Sequence, residues 1–256
     1  MEFTDQMGNI IRLAHYPRRI ISLVPSQTEL LFDLGLDEEI VGVTEHCVLP
    51  ADKVASRAKI GAIKRFDFQA IAALNPDLII GSRDENYRQG ILRLQQEYPV
   101  WMSNIATLAD ALDMISRVGQ LVNRAANAER LVREITASMA ALPDFPPLQA
   151  AYLIWKEPFM AAGGGTFIND MLKRCGFRNI FDHNNGYPRI EVDELAEASV
   201  ILLSTEPYDF SANDAAFFRG KFPDAQVRSV DGRIFSWYGS HLRYAPEYFW
   251  RLRASL

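Results

Sequence analysis

A chain of 256 residues is long enough to bury a sizeable core, either as one large domain or as two smaller ones. Its 48% hydrophobic and 23% charged residues are typical of a globular protein. A net charge of −5, with arginine and lysine scattered along the chain, argues against nucleic acid or an anionic membrane as a partner. The apolar runs are too short to cross a bilayer, so the sequence predicts no membrane insertion.

The first half of the chain predicts a short hairpin followed by α/β units. Residues 7–9 form the hairpin turn. Residues 20–24 predict a buried strand that ends at Pro25, and Ser26 or Thr28 is expected to cap the next helix. The later elements of this half are a helix stop at Gly35, strands over 40–44, 78–82 and 100–103, and helices over 67–74, 86–98 and 107–122.

Residues 123–142 predict one long helix between the two halves. Asn123 is expected to cap its start, and Pro143 ends it. An apolar stripe at three- and four-residue spacing runs along it: Leu131, Ile135, Met139 and Leu142. At 1.5 Å per residue the helix would be about 30 Å long, enough to join two small domains.

The second half repeats this order of elements. A buried strand over 150–155 leads through the glycine-rich loop 163–165 into a helix over 166–177, which Gly176 stops. The remaining elements are a helix over 190–199, a strand over 200–205, late strands over 227–237 around Asp231-Gly232, and a terminal helix over 245–256. We therefore predict an α/β fold with an N-terminal lobe (1–122), a linking backbone helix (123–142) and a C-terminal lobe (143–256). Ligands of such folds bind where loops leave the carboxyl ends of the strands, here in a cleft between the lobes.

Several phrases resemble the helical-backbone metal receptor family, the class III substrate-binding proteins of ABC importers for cobalamin, haem and ferric siderophores. They are RIISLVPSQTELLFDLGL followed by IVGVT, then NPDLIIG, then the long helix, then GGGTFINDMLKRCGFRNIF. The resemblance spans roughly residues 18–250. It implies two Rossmann-like lobes on a rigid helix, with the ligand held between them and only small hinge motion. The phrase GVTEHC and the aromatic residues of the second half are most similar to the cobalamin-binding branch.

A corrinoid or porphyrin is a wide apolar plate with a polar rim, so its receptor needs large rigid side chains with a few polar tips. By the resemblance, His46, Phe159, Tyr187 and Trp237 fall at ligand-contacting positions. The loops expected to rim the cleft add three residues: Phe66, Tyr238 and His241. The alternative is that these side chains pack within their own lobe. We expect Trp237→Ala to weaken ligand binding by roughly 1–3 kcal/mol without unfolding the protein.

Metal ligation is a further alternative for some of these residues. His46 or His241 would be an axial ligand of cobalt or iron, and Tyr187 or Tyr238 a haem ligand. The sequence contains no HExxH motif, no Cys/His cluster and no EF-hand loop, so we predict no preformed metal site. The expected ligand is thus cobalamin or another metal chelate, and no catalytic cofactor is expected.

Family members that dock on a permease carry one glutamate at the top of each lobe, where it pairs with permease arginines. The corresponding positions here are Gln69 and Asp193, with Glu194 adjacent. A neutral glutamine cannot form the charged pair. The N-terminus also lacks the features of an export signal, so the sequence as written predicts a cytoplasmic protein, and a periplasmic one if a leader precedes it. An ABC permease is the candidate protein partner, and we expect a monomer.

Two other function classes remain open. The protein would be a haem or ferric-siderophore binder, or a cytoplasmic ligand carrier that is not coupled to a permease. A hydrolase or transferase is less favoured, because the loop at Ser26 lacks the glycines of a nucleophile elbow and the acids Asp84 and Glu85 fit a solvated loop. The glycines at 163–165 lack a nucleotide-binding pattern and favour either close approach of the backbone to a ligand or packing within the lobe. Cys47 and Cys175 are expected to be buried thiols.

Overall fold

The computed structural model describes residues 1–256, which divide into two compact units. The first unit comprises residues 1–105, 109–136 and 238–241, and the second comprises 106–108, 137–237 and 242–256. The division falls inside the predicted linking helix, and the segment 238–241 groups with the first unit. The domain limits at residues 122 and 142 stay predictions. No helix has both the length and the apolar character that a membrane span requires.

The first unit is built on a five-stranded parallel sheet with the order β5-β4-β3-β8-β9. Its strands are β1 (Glu2–Thr4), β2 (Ile10–Arg12), β3 (Ile20–Ser22), β4 (Ile40–Val43), β5 (Ala58–Lys59), β6 (Gly61–Ala62), β7 (Arg65–Phe66), β8 (Leu78–Ser82) and β9 (Val100–Ser103). Its helices are α1 (Pro25–Asp33), α2 (Ala51–Val54), α3 (Phe68–Leu74), α4 (Arg88–Leu94) and most of α5 (Leu108–Leu121) and α6 (Ala125–Ala140), of which Leu108 and residues 137–140 group with the second unit. β1 and β2 form the predicted hairpin, and β6 and β7 pair antiparallel in a second one that the sequence analysis did not predict. Because both faces of a parallel sheet are covered, β8 is buried along its whole length and has one polar side chain, that of its last residue, Ser82.

Helix α1 begins differently from the prediction. Its N-cap is Val24, with Pro25 in the first turn, and neither Ser26 nor Thr28 caps it. Proline suits this position because the first helical N–H has no partner inside the helix. Thr28 Oγ1 lies instead within hydrogen-bonding distance of the Val24 carbonyl oxygen, at 2.9 Å, and of Ser22 Oγ, at 2.7 Å. Gly35 ends the helix as predicted, with φ at +90°.

Asn123 also has a different role from the predicted one. It ends helix α5 in the left-handed conformation, with φ at +56°. Its N–H bonds to the Gln120 carbonyl at 3.3 Å, and the Arg124 N–H bonds to the Gly119 carbonyl at 2.6 Å. This is a Schellman termination, in which asparagine takes the place usually held by glycine. Helix α6 therefore starts two residues later, at Ala125, and spans about 24 Å rather than 30 Å.

The second unit contains another mainly parallel sheet, with the order β11-β10-β13-β14 and β12 paired to β10. The strands are β10 (Leu148–Trp155), β11 (Met160–Ala161), β12 (Phe177–Asn179), β13 (Val200–Ser204) and β14 (Gln226–Val230). The helices are α7 (Phe167–Arg174), α8 (Ala212–Lys221), α9 (Gly232–Ser236) and α10 (Ala245–Ala254). Two 3₁₀ helices cover Val192–Glu197 and Ser240–Tyr244. The core under this sheet is a cluster of buried residues from its strands and helices that includes Leu153, Phe181, Ile201 and Phe218.

Two expectations for this unit were wrong in detail. The segment after Asp231 is helix α9 rather than a late strand, because the Asp231 carboxylate accepts the Arg233 N–H at 3.0 Å and caps a helical turn. The helix expected over 190–199 is the shorter 3₁₀ helix over 192–197. Gly176 stops α7 as predicted, with φ at +77°.

The glycine loop 163–165 packs against its own unit, which was one of the two interpretations that its sequence favoured. A Cβ added at Gly163 would lie 2.1 Å from the Asn184 carbonyl oxygen. One added at Gly164 would lie 2.2 Å from the Asp182 carbonyl oxygen. The two backbone segments approach too closely for any side chain, so glycine is required for packing.

Candidate functional site

The carboxyl edge of the first sheet is held by buried hydroxyl groups. Ser22, Ser82 and Ser103 are the last residues of β3, β8 and β9, and all are buried. The Gln27 side-chain amide donates to Ser103 Oγ at 2.7 Å, which ties α1 to the end of β9. Buried polar groups that are paired in this way hold a loop in one conformation. The edge is therefore a fixed platform for the loops that follow these strands.

Cys47 belongs to this platform and is not a reactive group. Its sulfur lies 3.1 Å from Thr28 Oγ1 and 3.2 Å from Thr44 Oγ1. Burial raises the pKa of the Cys47 thiol, so the sulfur stays protonated and weakly nucleophilic. Burial likewise raises the pKa of Cys175 to about 12. The prediction of two buried thiols is confirmed.

Two predicted ligand contacts, His46 and Phe66, lie in residues 40–70, and the first is exposed whereas the second is buried. His46 is exposed in the turn that directly follows β4. Phe66 is 5% exposed, and its ring lies 4.8 Å from the Tyr87 ring centroid and 6.3 Å from that of Phe68. His46 is thus the more accessible of the two, while Phe66 packs in its own unit.

Tyr238 and His241 lie in the segment that groups with the first unit. The Tyr238 hydroxyl donates to the Glu85 carboxylate. Burial, reinforced by the Glu85 charge, raises the pKa of Tyr238 well above its ordinary value. His241 Nδ1 lies 3.1 Å from both Glu29 carboxylate oxygens. Both side chains are buried and bonded to acids of the same unit, and their roles in ligand binding stay predictions.

In the second unit, two neighbouring strands end in the same sequence pattern. β10 ends at Trp155 and β13 at Ser204. Each is followed by one residue, then Glu-Pro and an aromatic: Glu157-Pro158-Phe159 and Glu206-Pro207-Tyr208. The strands are parallel partners, with Leu153 opposite Leu203. The two Glu-Pro-aromatic turns therefore leave the same edge of the sheet side by side.

Aromatic side chains form the surface of this edge. Trp155 is 40% exposed, and its ring packs edge-on against Tyr208 with centroids 5.8 Å apart. Tyr208 in turn packs against Phe210 at 4.9 Å. Phe159, a predicted contact, is half-buried and packs against Phe218 at 5.5 Å. The sequence analysis missed Trp155 and Tyr208 as contacts, although Trp155 is the last residue of one predicted strand and Tyr208 lies shortly after the end of another.

Trp237 and Tyr187, the other two predicted contacts of this unit, differ in exposure. Trp237 is 7% exposed, and its indole N–H donates to Glu206 Oε2 at 3.0 Å. Tyr187 is 44% exposed, in a loop joined to the glycine loop by the bond from Gly186 N–H to the Gly164 carbonyl at 2.9 Å. Trp237 thus orients Glu206, and Tyr187 offers open aromatic surface. Whether either contacts a ligand stays a prediction.

Two cations near this edge, Lys156 and Arg233, are engaged by acids. Lys156 Nζ lies 2.6 Å from Asp214 Oδ1, and this hydrogen bond lowers the pKa of Asp214 and raises that of Lys156. Arg233 pairs with Asp231 at 2.9 Å. Three further acidic residues lie in the segments that follow these strands: Glu157, Glu206 and Asp209. The edge thus combines aromatic rings with acidic side chains.

The predicted docking residues lie on the surfaces of their own units. Gln69 is exposed in the first turn of α3 and lines a surface cavity of about 220 Å³ together with Phe68, Arg93 and Glu97. Asp193 is exposed and pairs with Lys221 at 2.6 Å. The Glu194 side chain accepts the Glu191 N–H at 2.6 Å and so caps its own 3₁₀ helix. A docking role for these residues stays a prediction.

No group of three or more histidine, cysteine, aspartate or glutamate side chains is arranged to hold a metal ion. His46 and His241 lie in different settings, one exposed in a turn and the other bonded to Glu29. The edge of the second unit has two features that fit a flat chelate. Its aromatic rings can pack against the faces of the chelate, and its carboxylates can accept hydrogen bonds from donors on the rim of the chelate.

Comparison with known proteins gives a consistent picture. A family model described as periplasmic binding protein matches residues 20–215. The vitamin B12-binding protein of Vibrio parahaemolyticus is 24% identical over 208 residues, which cover 78% of this chain and 75% of that protein. The crystal structure of the periplasmic vitamin B12-binding protein BtuF of Vibrio cholerae aligns with a TM-score of 0.76 at 20% identity, covering 94% of this chain and 99% of the other. The periplasmic haem-binding protein BhuT, in complex with two haems, aligns with a TM-score of 0.76 at 20% identity, over 93% and 98% of the two chains. These alignments confirm the predicted α/β fold with two lobes.

Proposed function

Because the chain belongs to the periplasmic binding protein family, we propose that it is the substrate-binding protein of an ABC importer and that its ligand is cobalamin or a related metal chelate. The observation that supports this proposal most directly is the group of aromatic side chains at the carboxyl ends of β10 and β13, where Trp155 is 40% exposed beside Tyr208. Vitamin B12 binding in the relatives supports the choice of ligand.

The edge suits a wide chelate for physical reasons. Trp155 and Tyr208 hold each other at a fixed angle, so they offer a rigid apolar surface without a large loss of side-chain entropy on binding. Glu206, oriented by Trp237, adds a hydrogen-bond acceptor beside that surface. A flat ring system with polar groups on its rim would use both features at once.

We propose that the protein binds its ligand without chemical change. The one serine weighed as a nucleophile, Ser26, is 2% exposed, and its hydroxyl has no hydrogen-bond partner that would act as a base. The Cys47 thiol has a raised pKa. Both observations support a binding protein over a hydrolase or transferase.

We also propose that the protein works in the periplasm, as the family description and the names of its structural relatives indicate for those proteins. The cytoplasmic expectation has no support among them. For docking on a permease, Asp193 is the better candidate. Its surface ion pair with Lys221 is exposed and therefore weak, so a permease arginine can replace the lysine. Gln69 would contribute only neutral hydrogen bonds.

The ligand proposal is tested by calorimetric titration of the purified protein with cobalamin, with haem and a ferric siderophore in parallel. We expect saturable one-to-one binding of cobalamin. Trp155→Ala should weaken it by about tenfold or more, since exposed aromatic anchors contribute roughly 1–3 kcal/mol. Trp250→Ala is the matched control, because Trp250 is 56% exposed on the terminal helix α10.

Equal affinity of Trp155→Ala and wild type would contradict the proposed edge. Binding of haem or the siderophore without cobalamin would retain the class of protein and replace the ligand. Absence of binding to all three would contradict the proposed function itself.

A further inference from the structure

A surface cavity of about 220 Å³ in the first unit, which we call the α3–α4 cavity, contains one of the predicted docking residues. Its wall is formed by α3, by α4 and by the turn after α4, and includes Phe68, Gln69, Ala72, Arg93, Glu97 and Tyr98. Pockets for small-molecule ligands measure about 300–1,000 Å³. The α3–α4 cavity is smaller than that, so its size suits a single side chain of another protein.

Arg93 is the one cation in the wall of this cavity, and an aromatic ring holds its guanidinium in place. The guanidinium carbon lies 3.9 Å from the centroid of the Phe68 ring. The Phe68 ring packs edge-on against Phe66, with centroids 6.3 Å apart. A guanidinium stacked on a ring keeps its N–H groups at its edge, where they fit both oxygens of a carboxylate. Arg93 is therefore preorganised to bind an acid.

No acid of this chain forms an ion pair with Arg93. Four arginines on other helices each pair with an acid four residues earlier: Arg117, Arg133, Arg174 and Arg251. The residue four positions before Arg93 is Gln89, which carries no charge. Glu97 lies four positions after it, but α4 has already ended at Leu94, and no ion pair joins the two side chains. The charge of Arg93 is thus available to a partner.

We infer that the α3–α4 cavity binds an acidic side chain of the importer's permease through Arg93. This inference rests on the proposed function. By the resemblance, a docking glutamate at position 69 would pair with a permease arginine, but Gln69 is neutral and shares its cavity with Arg93. An arginine brought here would meet a like charge, whereas a carboxylate would accept hydrogen bonds from the guanidinium and the Gln69 amide. The first unit then docks with the opposite polarity from the one that the resemblance implies.

Glu97 offers the alternative, because it is an acid in the same cavity that would attract a permease arginine. Its side chain is exposed and makes no hydrogen bond, so docking would have to immobilise it at a cost in entropy. The Phe68 ring already holds the Arg93 guanidinium, beside the residue that the resemblance assigns to docking. These observations favour Arg93, and the two alternatives predict opposite effects of an added negative charge.

The test measures ATP hydrolysis by the permease and ATPase of the same importer in liposomes, against the concentration of the cobalamin-loaded protein. Gln69→Glu places an acid in the cavity of Arg93, where it competes with the partner's carboxylate. We expect it to raise the half-maximal concentration by about fivefold, the effect of one charge at about 4 Å in water. Docking of a permease arginine predicts a fall instead. Arg93→Gln should raise this concentration by about tenfold, and Glu97→Gln should lower it by up to about fivefold.

The matched control is Arg88→Gln. Arg88 is exposed at the start of α4 and lies outside the cavity, so the variant removes the same charge from the same helix. It should leave the half-maximal concentration unchanged. Calorimetric titration should show the same cobalamin affinity for every variant, because the cavity takes part in docking and not in ligand binding. A charge exchange adds a further check: Arg93→Glu should abolish stimulation, and arginine in place of the permease acid should restore it.

The outcomes separate the inference from the proposed function. A rise with Gln69→Glu and with Arg93→Gln, and none with Arg88→Gln, supports the inference. A fall with Gln69→Glu, or no change with Arg93→Gln, overturns it while cobalamin binding stands. Absence of stimulation by the wild-type protein overturns the inference and the importer role, and leaves a cobalamin-binding protein. Absence of cobalamin binding to the wild-type protein overturns the proposed function and the inference with it.

Discussion

Trp237 and Glu206 allow a quantitative test of how the edge of the second unit is built. Trp237→Phe keeps an aromatic ring in the buried site and removes the indole N–H that donates to Glu206 at 3.0 Å. Hydrogen bonds to charged groups contribute about 1.5–3 kcal/mol. Glu206 is half-buried and regains some hydration, so we expect a loss near the lower end, about 1–2 kcal/mol, in the free energy of unfolding.

Trp237→Ala should cost more, about 3–5 kcal/mol, because it also opens a cavity where a 7% exposed side chain was packed. This changes the expectation from the sequence that the alanine variant would stay fully folded. A loss of ligand affinity in Trp237→Ala would have two causes that the measurement cannot separate: the removal of a ligand contact and the unfolding of part of the protein. Trp155, at 40% exposure, is the cleaner variant for binding.

The assay is urea unfolding followed by far-ultraviolet circular dichroism, which does not depend on the tryptophan being removed. Trp237→Phe, Glu206→Ala and the double variant form a thermodynamic cycle, and we expect a coupling energy of about 1 kcal/mol or more. Additive effects, with coupling below about 0.3 kcal/mol, would refute the argument that Trp237 orients Glu206.

Much of the fold follows from patterns that are local in sequence. Continuous apolar runs such as 78–82 predict buried parallel strands, and glycines after apolar helices, as at Gly35 and Gly176, predict where helices end. The errors concern residues that serve two neighbouring elements. Asn123 has the chemistry of an N-cap, but it ends the helix before it, because the same side chain tolerates the left-handed conformation. Asp231-Gly232 has the composition of a turn, but the carboxylate caps a helix.

The candidate site was less accessible to sequence reasoning, because its contacts join distant positions. Tyr238 bonds to Glu85, and His241 to Glu29, across 153 and 212 residues. No local pattern predicts these pairs. Trp155 and Tyr208 were missed for another reason: an aromatic residue at the end of an apolar strand, or in the turn after it, gives the same sequence pattern whether its ring faces the core or the solvent. Only the exposure of Trp155 separates the two cases.

The remaining predictions concern stability, measured by urea unfolding. Gly42→Ala should destabilise by about 1–3 kcal/mol, because the added Cβ would lie 2.7 Å from Leu74 Cδ1 and 3.2 Å from a side-chain carbon of the buried Ile60. Gly220→Ala, with open space around the new Cβ on helix α8, should stabilise by about 0.5–1 kcal/mol. If both alanine variants changed the free energy of unfolding in the same direction, the packing argument would be contradicted. Asp67→Ala should cost about 1 kcal/mol, because it removes the N-cap of α3 that accepts two N–H groups at 3.0 Å; no loss would show that water replaces the cap. The last prediction concerns pH. The hydrogen bond from Lys156 lowers the pKa of Asp214 and is the cause of the raised pKa of Lys156. A carboxyl group whose pKa is lowered by folding stabilises the folded protein above the pKa of the unfolded state, and this stabilisation is lost as the pH falls through the pKa of the folded state. An amine whose pKa is raised by folding stabilises the folded protein below the pKa of the unfolded state, and this stabilisation is lost as the pH rises through the pKa of the folded state. Asp214→Asn should therefore be less stable than wild type between about pH 4 and pH 10, with the difference closing on both sides. A difference that stays constant from neutral pH down to about pH 2 would show that the ion pair makes no contribution to stability.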